Sequence, residues 1–302
     1  MVKKIIKRLI ISAFILLAFS FILYGSIVLM LMLLRGISLS FFASYFTWLR
    51  NILRGDLGFS FLFQQPVSTA ILEHIGISAF IMFLGLTIAY LIAIPLGIKC
   101  ATKQNSKFDI VSSTLVLIST AFPAFFIAAI IIHFLAIQLG LFPSFGLISG
   151  NLPEGTSNTV IFFNRIWHLI LPVFTIAILN IGTLARHTKA NLLEVLDSDY
   201  IRTARAMGVK EKTVINKFAL KNTAIPLSTF MASVLPTIFA GTMFVEIVFS
   251  LPGIGFAAFR ALMAGDFNFV MGFNLFLAML TILGVLLSDI VYIIVNPKIK
   301  TA

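Results

Sequence analysis

Asp199-Tyr-Ile-Arg-Thr-Ala-Arg-Ala-Met-Gly208 brings acids, arginines and small residues together in an otherwise apolar chain. Asp197, Ser198 and Asp199 offer N-cap oxygens and first-turn acids, and Gly208 offers a C-terminal stop. The spacing predicts a helix of about nine residues, roughly 13 Å long. Tyr200, Ala204 and Met207 fall on one side of it, overlapped by Ile201, Ala204 and Gly208. Ala204 and Gly208 would let another surface approach closely, while Ala206 adds a further small residue and Arg202 and Arg205 could take phosphates or carboxylates. This is docking chemistry, without a nucleophile or a general base. Spacing and charge alone fit an ordinary basic interfacial helix equally well, and so short a helix needs tertiary contacts to form.

The other ionisable residues within apolar stretches are isolated. Glu246 stands among Phe, Val and Ile, where a carboxylate is costly unless it faces a cavity or has a partner. Two readings stay open: a role in an outer gate or pore wall with Pro252, Gly253 and Gly255, or a cap on the Ser250–Gly255 turn. Asp289, near the end of the last apolar run, is read as a structural partner for nearby basic residues. His133 and His168 lie in different runs without a carboxylate motif, so no metal site is expected. Cys100 is the single cysteine, which excludes an internal disulfide framework. No Gly-x-x-x-x-Gly-Lys-Ser/Thr loop, Ser/His/Asp order or His-Glu-x-x-His pattern is present, so the reading is a non-enzyme with no cofactor of its own.

The elements that must position these residues are membrane helices. Of the 302 residues, 60% are apolar and only 11% charged. A soluble domain could not hide that much apolar surface. The net charge of +11 is distributed between apolar runs, which fits lipid headgroups and orientation signals and not nucleic acid. Six spans are expected, Leu9–Leu34, Ile75–Ile98, Ile110–Phe142, Ile166–Ala185, Thr223–Phe249 and Phe269–Val295. The first follows Lys3, Lys4, Lys7 and Arg8 and reads as a retained signal anchor. The third contains Pro123 and is longer than a straight span needs, so it can tilt, kink or leave the membrane at one end. With the N-terminus inside, seventeen Lys/Arg lie on the inner side and five on the outer, which puts both termini in the cytoplasm. Gly36–Leu49 is apolar and aromatic but too short to span, and reads as an interfacial helix. Asn151–Asn164 reads as a surface loop. Pro95, Pro123, Pro172, Pro226 and Pro236 lie in or beside spans and can bend them.

Asp199-Tyr-Ile-Arg-Thr-Ala-Arg-Ala-Met-Gly-Val209, with Ala219-Leu-Lys-Asn222 and Ile225-Pro226, resembles the signature loop of ABC importer permeases, specifically the dipeptide/oligopeptide/nickel branch. The resemblance extends to Tyr45-Phe-Thr-Trp-Leu49, Gly55-Asp-Leu-Gly-Phe-Ser60 with Pro66-Val67, Ile94-Pro-Leu-Gly97 and Phe122-Pro-Ala-Phe125. It continues through Gly241-Thr-Met-Phe-Val-Glu246, Pro252-Gly-Ile-Gly255, Asp289, Tyr292 and Pro297, covering about Tyr45 to Lys298. The family usually has Lys at the position of Met207, His at Phe218 and Pro-x-Thr at Gly76-Ile-Ser78. It also has a longer insertion after the first span and an Asn near the last span's end.

The resemblance implies an all-α, polytopic fold of six transmembrane helices like that of type I ABC importer permeases. The chain would form one transmembrane permease domain, 1–302: an anchor helix at 1–34, an outer segment at 35–74 and a five-helix core at 75–295 with a cytoplasmic coupling loop at 186–221. It implies that Asp199, Tyr200, Arg202, Ala204, Arg205, Ala206 and Gly208 form a coupling helix seated in an ATPase groove. The implied partners are a second homologous permease, two ABC ATPase subunits holding ATP and Mg, an extracytoplasmic substrate-binding protein and membrane lipid. The implied place is the inner membrane of a prokaryote. Peptides are the favoured cargo, with nickel or a metal chelate as the alternative. An ion-coupled secondary transporter would predict internal repeats and a midplane relay, which the sequence lacks.

Overall fold

The computed structural model describes residues 2–35, 41–220, 223 and 242–295. Most of the expected fifth span, including Pro226 and Pro236, lies outside the described residues, as do Pro297 and the side chains of Asp289 and Tyr292.

Among the described residues, the regular structure is helical apart from one small hairpin. Helix α1 (Val2–Arg35) leads to α2 (Phe41–Leu53), then β1 (Phe59–Ser60) and β2 (Gln65–Pro66), paired antiparallel with Phe59 opposite Pro66. Helix α3 (Val67–Thr102), α4 (Lys107–Ala121) and α5 (Ala124–Ile131) follow, α5 continuing as a π-helix over Ile132–Gln138. Helix α6 spans Asn158–Leu196, α7 Asp199–Ala206 and α8 Glu211–Thr213, the last running into a π-turn over Val214–Ala219. The remaining helices among the described residues are α9 (Met243–Val248), α10 (Ile254–Ala264) and α11 (Phe267–Val295). Among the described residues, four helices are long and apolar enough to cross a membrane, and two bent pairs bring the total to six if each pair is one span.

The expected third span does not run straight. Its two halves, Lys107–Ala121 and Ala124–Gln138, meet at 106°. Pro123 explains the break: the residue before a proline is driven out of the helical region, and Phe122 sits at φ −93, ψ 142. Pro95 and Pro172, by contrast, lie inside continuous helices. Helix α6 is longer than the expected fourth span at both ends. It takes in residues 158–164 of the expected outer loop and 186–196 of the expected cytoplasmic loop.

Helix α6 is the centre of the bundle. Its apolar window is 61% buried, against 33% for α3 and 17% for α1. Most of the apolar window of α1 and of α3 is therefore exposed. The α3–α6 seam follows from Gly85, Ala89, Ala93 and Gly97, which repeat every four residues and so share one helix face. A Cβ on Gly85 would lie 2.6 Å from Ile176, and one on Gly97 would lie 2.6 Å from Thr188 and 2.7 Å from the Ala185 carbonyl. Small residues let the two backbones approach until dispersion holds them, which is how apolar helices associate without a hydrophobic drive between them.

The expected interfacial helix is displaced to Phe41–Leu53 and packs on α1. Tyr45 is buried among Tyr24, Ile27, Val28 and Met271, and its hydroxyl shares a 3.0 Å hydrogen bond with Ser20. Phe42 and Phe46 remain exposed on the opposite face. That two-sided pattern is what an interfacial helix needs.

Candidate functional site

Two polar constellations stand at opposite ends of α3: a coupling segment beside residues 98–101 and a buried latch at Ser78.

In the coupling segment, α7 begins after Ser198, whose backbone is extended at φ −71, ψ 150. It ends in a left-handed turn, with Gly208 at φ +76. Gly208 N–H donates to the Arg205 carbonyl at 2.9 Å and Val209 N–H to the Ala204 carbonyl at 3.2 Å. This paired pattern is the Schellman cap, and the left-handed residue in it favours glycine for want of a Cβ. The helix has eight residues where about nine were expected, because Met207 and Gly208 form this cap.

Ile201 and Ala204 turn inward and are 0% and 1% exposed. They pack with Ala101, Leu192, Val214 and Ala219. Burying Ile201 stabilises the segment by about 2 kcal/mol, which supplies the tertiary support an isolated eight-residue helix lacks. This corrects one expectation. Ala204 does not share an open face with Tyr200 and Met207, because its side chain fills the chain's own core. The outward face instead carries Asp199, Tyr200, Arg202, Ala206 and Met207.

Arg205 is also committed. Its Nε and Nη2 donate to Glu211 Oε2 and Oε1 at 3.1 and 2.7 Å. Hydrogen bonding from Arg205 holds the Glu211 carboxyl below its ordinary range, and the same contact raises the guanidinium. Arg205 thus meets a carboxylate of its own chain while its side chain stays 42% exposed. Arg202 keeps only a 3.7 Å approach to Asp199 with both side chains largely exposed, an arrangement of little energetic weight.

A second ion pair joins α4 to α6. Asp109 is 4% exposed and pairs with Lys189 of α6. It also accepts from Asn105 N–H and Ser113 Oγ, both at 3.1 Å. Ser106 caps α4 by accepting from Asp109 N–H at 3.2 Å. Sequence reasoning did not single out Asp109. The Ser106-x-x-Asp109 spacing of a capping box was the available signal, but the partnership with Lys189, 80 residues away, had none.

At the other end, Glu246 on α9 is 0% exposed. Ser78 Oγ donates to Glu246 Oε1 at 2.5 Å and accepts from Ile254 N–H at 2.9 Å. Phe256 N–H donates to Glu246 Oε2 at 2.9 Å. Between them Ser78 and Glu246 satisfy two first-turn amides of α10 and place negative charge at its N-terminus. Gly253 is needed for space: a Cβ there would lie 2.4 Å from Glu246 Cδ and 2.6 Å from Ser78 Oγ. Gly255 lies under the same constraint, since its Cβ would meet Met243 Cα at 2.6 Å. Of the two readings left open for Glu246, this geometry is that of the cap; the carboxylate lines no open surface, and of the associated residues only Pro252 is exposed.

Asp266 is a further buried carboxylate that sequence reasoning passed over. It accepts from Ser60 Oγ at 2.5 Å, Leu62 N–H at 3.1 Å and Phe269 N–H at 3.2 Å. It thereby caps α11 and ties the hairpin to it. Its signal was a polar N-cap residue directly before an apolar run. His168 is buried and bonded to the Gly146 carbonyl and Ser149 Oγ at 2.9 and 3.0 Å, while His133 contacts Gln138. Among the described residues, no group of three or more His, Cys, Asp or Glu side chains could hold a metal.

The sequence pattern of binding-protein-dependent transport system inner membrane components matches residues 93–301. The oligopeptide transport system permease protein AppB of Bacillus subtilis (strain 168) is 35% identical over 260 residues, 86% of this chain and 80% of that protein. The dipeptide transport system permease protein DppB of Alkalihalophilus pseudofirmus is 31% identical over 277 residues, covering 88% and 83%. A chain of the MetNI methionine ABC transporter, solved in inward-facing conformations, superposes with TM-score 0.59 at 18% identity, covering 76% of this chain and 97% of its own. That likeness carries the fold, and the sequence matches carry the lineage. This multi-helix membrane chain belongs to the binding-protein-dependent transport system inner membrane component family.

Proposed function

We propose that the chain is the permease subunit of an ATP-driven importer of di- or oligopeptides, docked on separate ATPase subunits through the outward face of α7. The observation that carries this reading is the mounting of α7: Ile201 and Ala204 anchor it in the chain's own core while Asp199, Tyr200, Arg202, Ala206 and Met207 face outward. A helix held this way transmits a push from a partner to α6 and α3 instead of bending under it. Peptide cargo is supported by the names of the relatives, which transport oligopeptides and dipeptides. Two ATPases would bind ATP and Mg, a second permease would complete the pathway, and an extracytoplasmic binding protein would deliver the substrate. Both termini lie on the cytoplasmic side in this reading, and the chain is a single membrane domain. ATP-driven closure of the ATPases shifts the bundle between two states only if it binds them unequally.

Co-expression with its candidate ATPases, followed by purification in detergent, tests the docking. The wild-type chain should retain the ATPase and support ATP-dependent peptide uptake in proteoliposomes. Gly208→Glu should abolish both, whereas Met207→Lys should keep them. Normal ATPase retention by Gly208→Glu would sink the docking reading; uptake of a metal chelate but no peptide would replace the cargo.

A further inference from the structure

A cavity of about 230 Å³ opens between α3, α4 and α6 where they approach the coupling segment. Leu96, Val116, Leu117 and Ala185 supply its apolar wall, and Arg186 and Lys189 its charged rim. The volume is below the ~300–1,000 Å³ of a site for a drug-sized solute, and the shape of the lining, greasy inside and basic at one edge, suits a chain with an anionic head. Arg186 is exposed and has no acidic partner among the described residues. Lys189 is satisfied on one side by Asp109 and by Ser113 Oγ at 3.2 Å, and an ammonium has a third donor to give. Lys99, 4.2 Å over the Phe108 ring, joins α3 to α4 nearby. Lys103 and Lys107 stand exposed at the same end. This end of α3, α4 and α6 thus carries five cations, of which Lys189 is paired with Asp109.

We infer that this cavity binds an anionic phospholipid, with one acyl chain against Leu96, Val116 and Leu117 and the phosphodiester on Arg186 and Lys189. Charge complementarity selects this occupant: basic pockets between membrane helices take acidic headgroups, and a zwitterionic lipid, whose own ammonium offsets its phosphodiester, brings no net charge to the Arg186–Lys189 rim. The position also has a consequence. The headgroup would lie beside the Asp109–Lys189 pair, so occupancy stiffens the part of α6 that carries α7. The inference is independent of the transported substrate.

The test is native mass spectrometry of the purified full chain, or of its complex, after exchange into detergent with defined lipid. Phosphatidylglycerol should be retained over phosphatidylcholine by about fivefold, and Arg186→Gln should remove about that factor. Millimolar inorganic phosphate should not displace the lipid, because it cannot fill the apolar wall. Val116→Phe, which fills the cavity without touching the charges, should lower retention of both lipids. Equal retention of the two lipids, displacement by inorganic phosphate, or retention unchanged in both variants would overturn the proposal. So would a disulfide between two copies carrying Leu117→Cys, since a second copy would then cover the cavity. If Arg186→Gln does not purify as a monodisperse protein, Val116→Phe decides the question alone.

Discussion

Ser78 of α3 and Glu246 of α9 share a 2.5 Å hydrogen bond at full burial and hold the first turn of α10 between them. The relationship joins three elements through two side chains that lie 168 residues apart. It makes this end of the bundle one mechanical unit.

Removing the hydroxyl tests that unit. Ser78→Ala leaves Ile254 N–H unpaired and removes a donor to Glu246 in a buried site, at a cost of about 1–3 kcal/mol. Ser78→Thr keeps the oxygen and should cost less. Gly253→Ala should be worse than Ser78→Ala, because its Cβ has no room beside the carboxylate. Thermal unfolding in detergent measures all three, and a neutral Gly253→Ala would contradict the latch.

Breaking the Asp109–Lys189 pair one partner at a time should be costly in an unequal way. Asp109 is the more buried of the two, with side-chain exposure of 5% against 24% for Lys189. Lys189→Ala therefore strands a carboxylate and should cost about 3 kcal/mol. The double variant Asp109→Ala/Lys189→Ala should lose less than the sum of the single losses. Strict additivity in that cycle would show that the two do not interact.

The Arg205–Glu211 clamp has a defined pH signature. The folded carboxyl titrates below its ordinary value, so its contribution is fully present above the unfolded value of ~4.3. It is lost as pH falls through the lower folded value. Both side chains are substantially exposed, at 42% and 55%, so the pair contributes no more than ~1 kcal/mol. Protection of the Val209 and Val214 amides, corrected for the intrinsic pH dependence of exchange, should therefore hold between pH 7 and 5 and fall below that. Glu211→Gln should show the lower protection above pH 5 and converge on the wild type where the carboxyl is protonated.

Gly97 tests the α3–α6 seam. Gly97→Val would drive its side chain into Thr188 and the Ala185 carbonyl, at about 1–3 kcal/mol or more for overpacking. The same substitution at Gly76, which has nothing within 4 Å, should be tolerated. A difference in melting temperature between the two variants is the measurement; equal values would remove the seam from the account.

Much of this protein is legible along the chain because the responsible physics is local. The apolar runs mark the helices and the charge between them marks their ends. Gly208 closes α7 through capping chemistry, whereas Ser198 precedes it without a side-chain cap, its hydroxyl turned back to the Val195 carbonyl. Pro123 announces a break, since its ring constrains Phe122 whatever surrounds it. The Gly85-x-x-x-Ala89-x-x-x-Ala93-x-x-x-Gly97 stripe was equally available as a close-packing face. What the tertiary structure alone decided was which polar groups meet. Whether Ala204 faced a partner or the core depended on Leu192 and Val214 arriving beneath it. Whether Arg205 met a carboxylate of its own chain depended on the turn that returns Glu211 to it, and whether Glu246 lined a surface or capped α10 depended on Ser78 from a distant helix. Helix formation follows from neighbours a few residues apart. Pairing of buried charge is decided by chain segments that sequence order keeps far from one another.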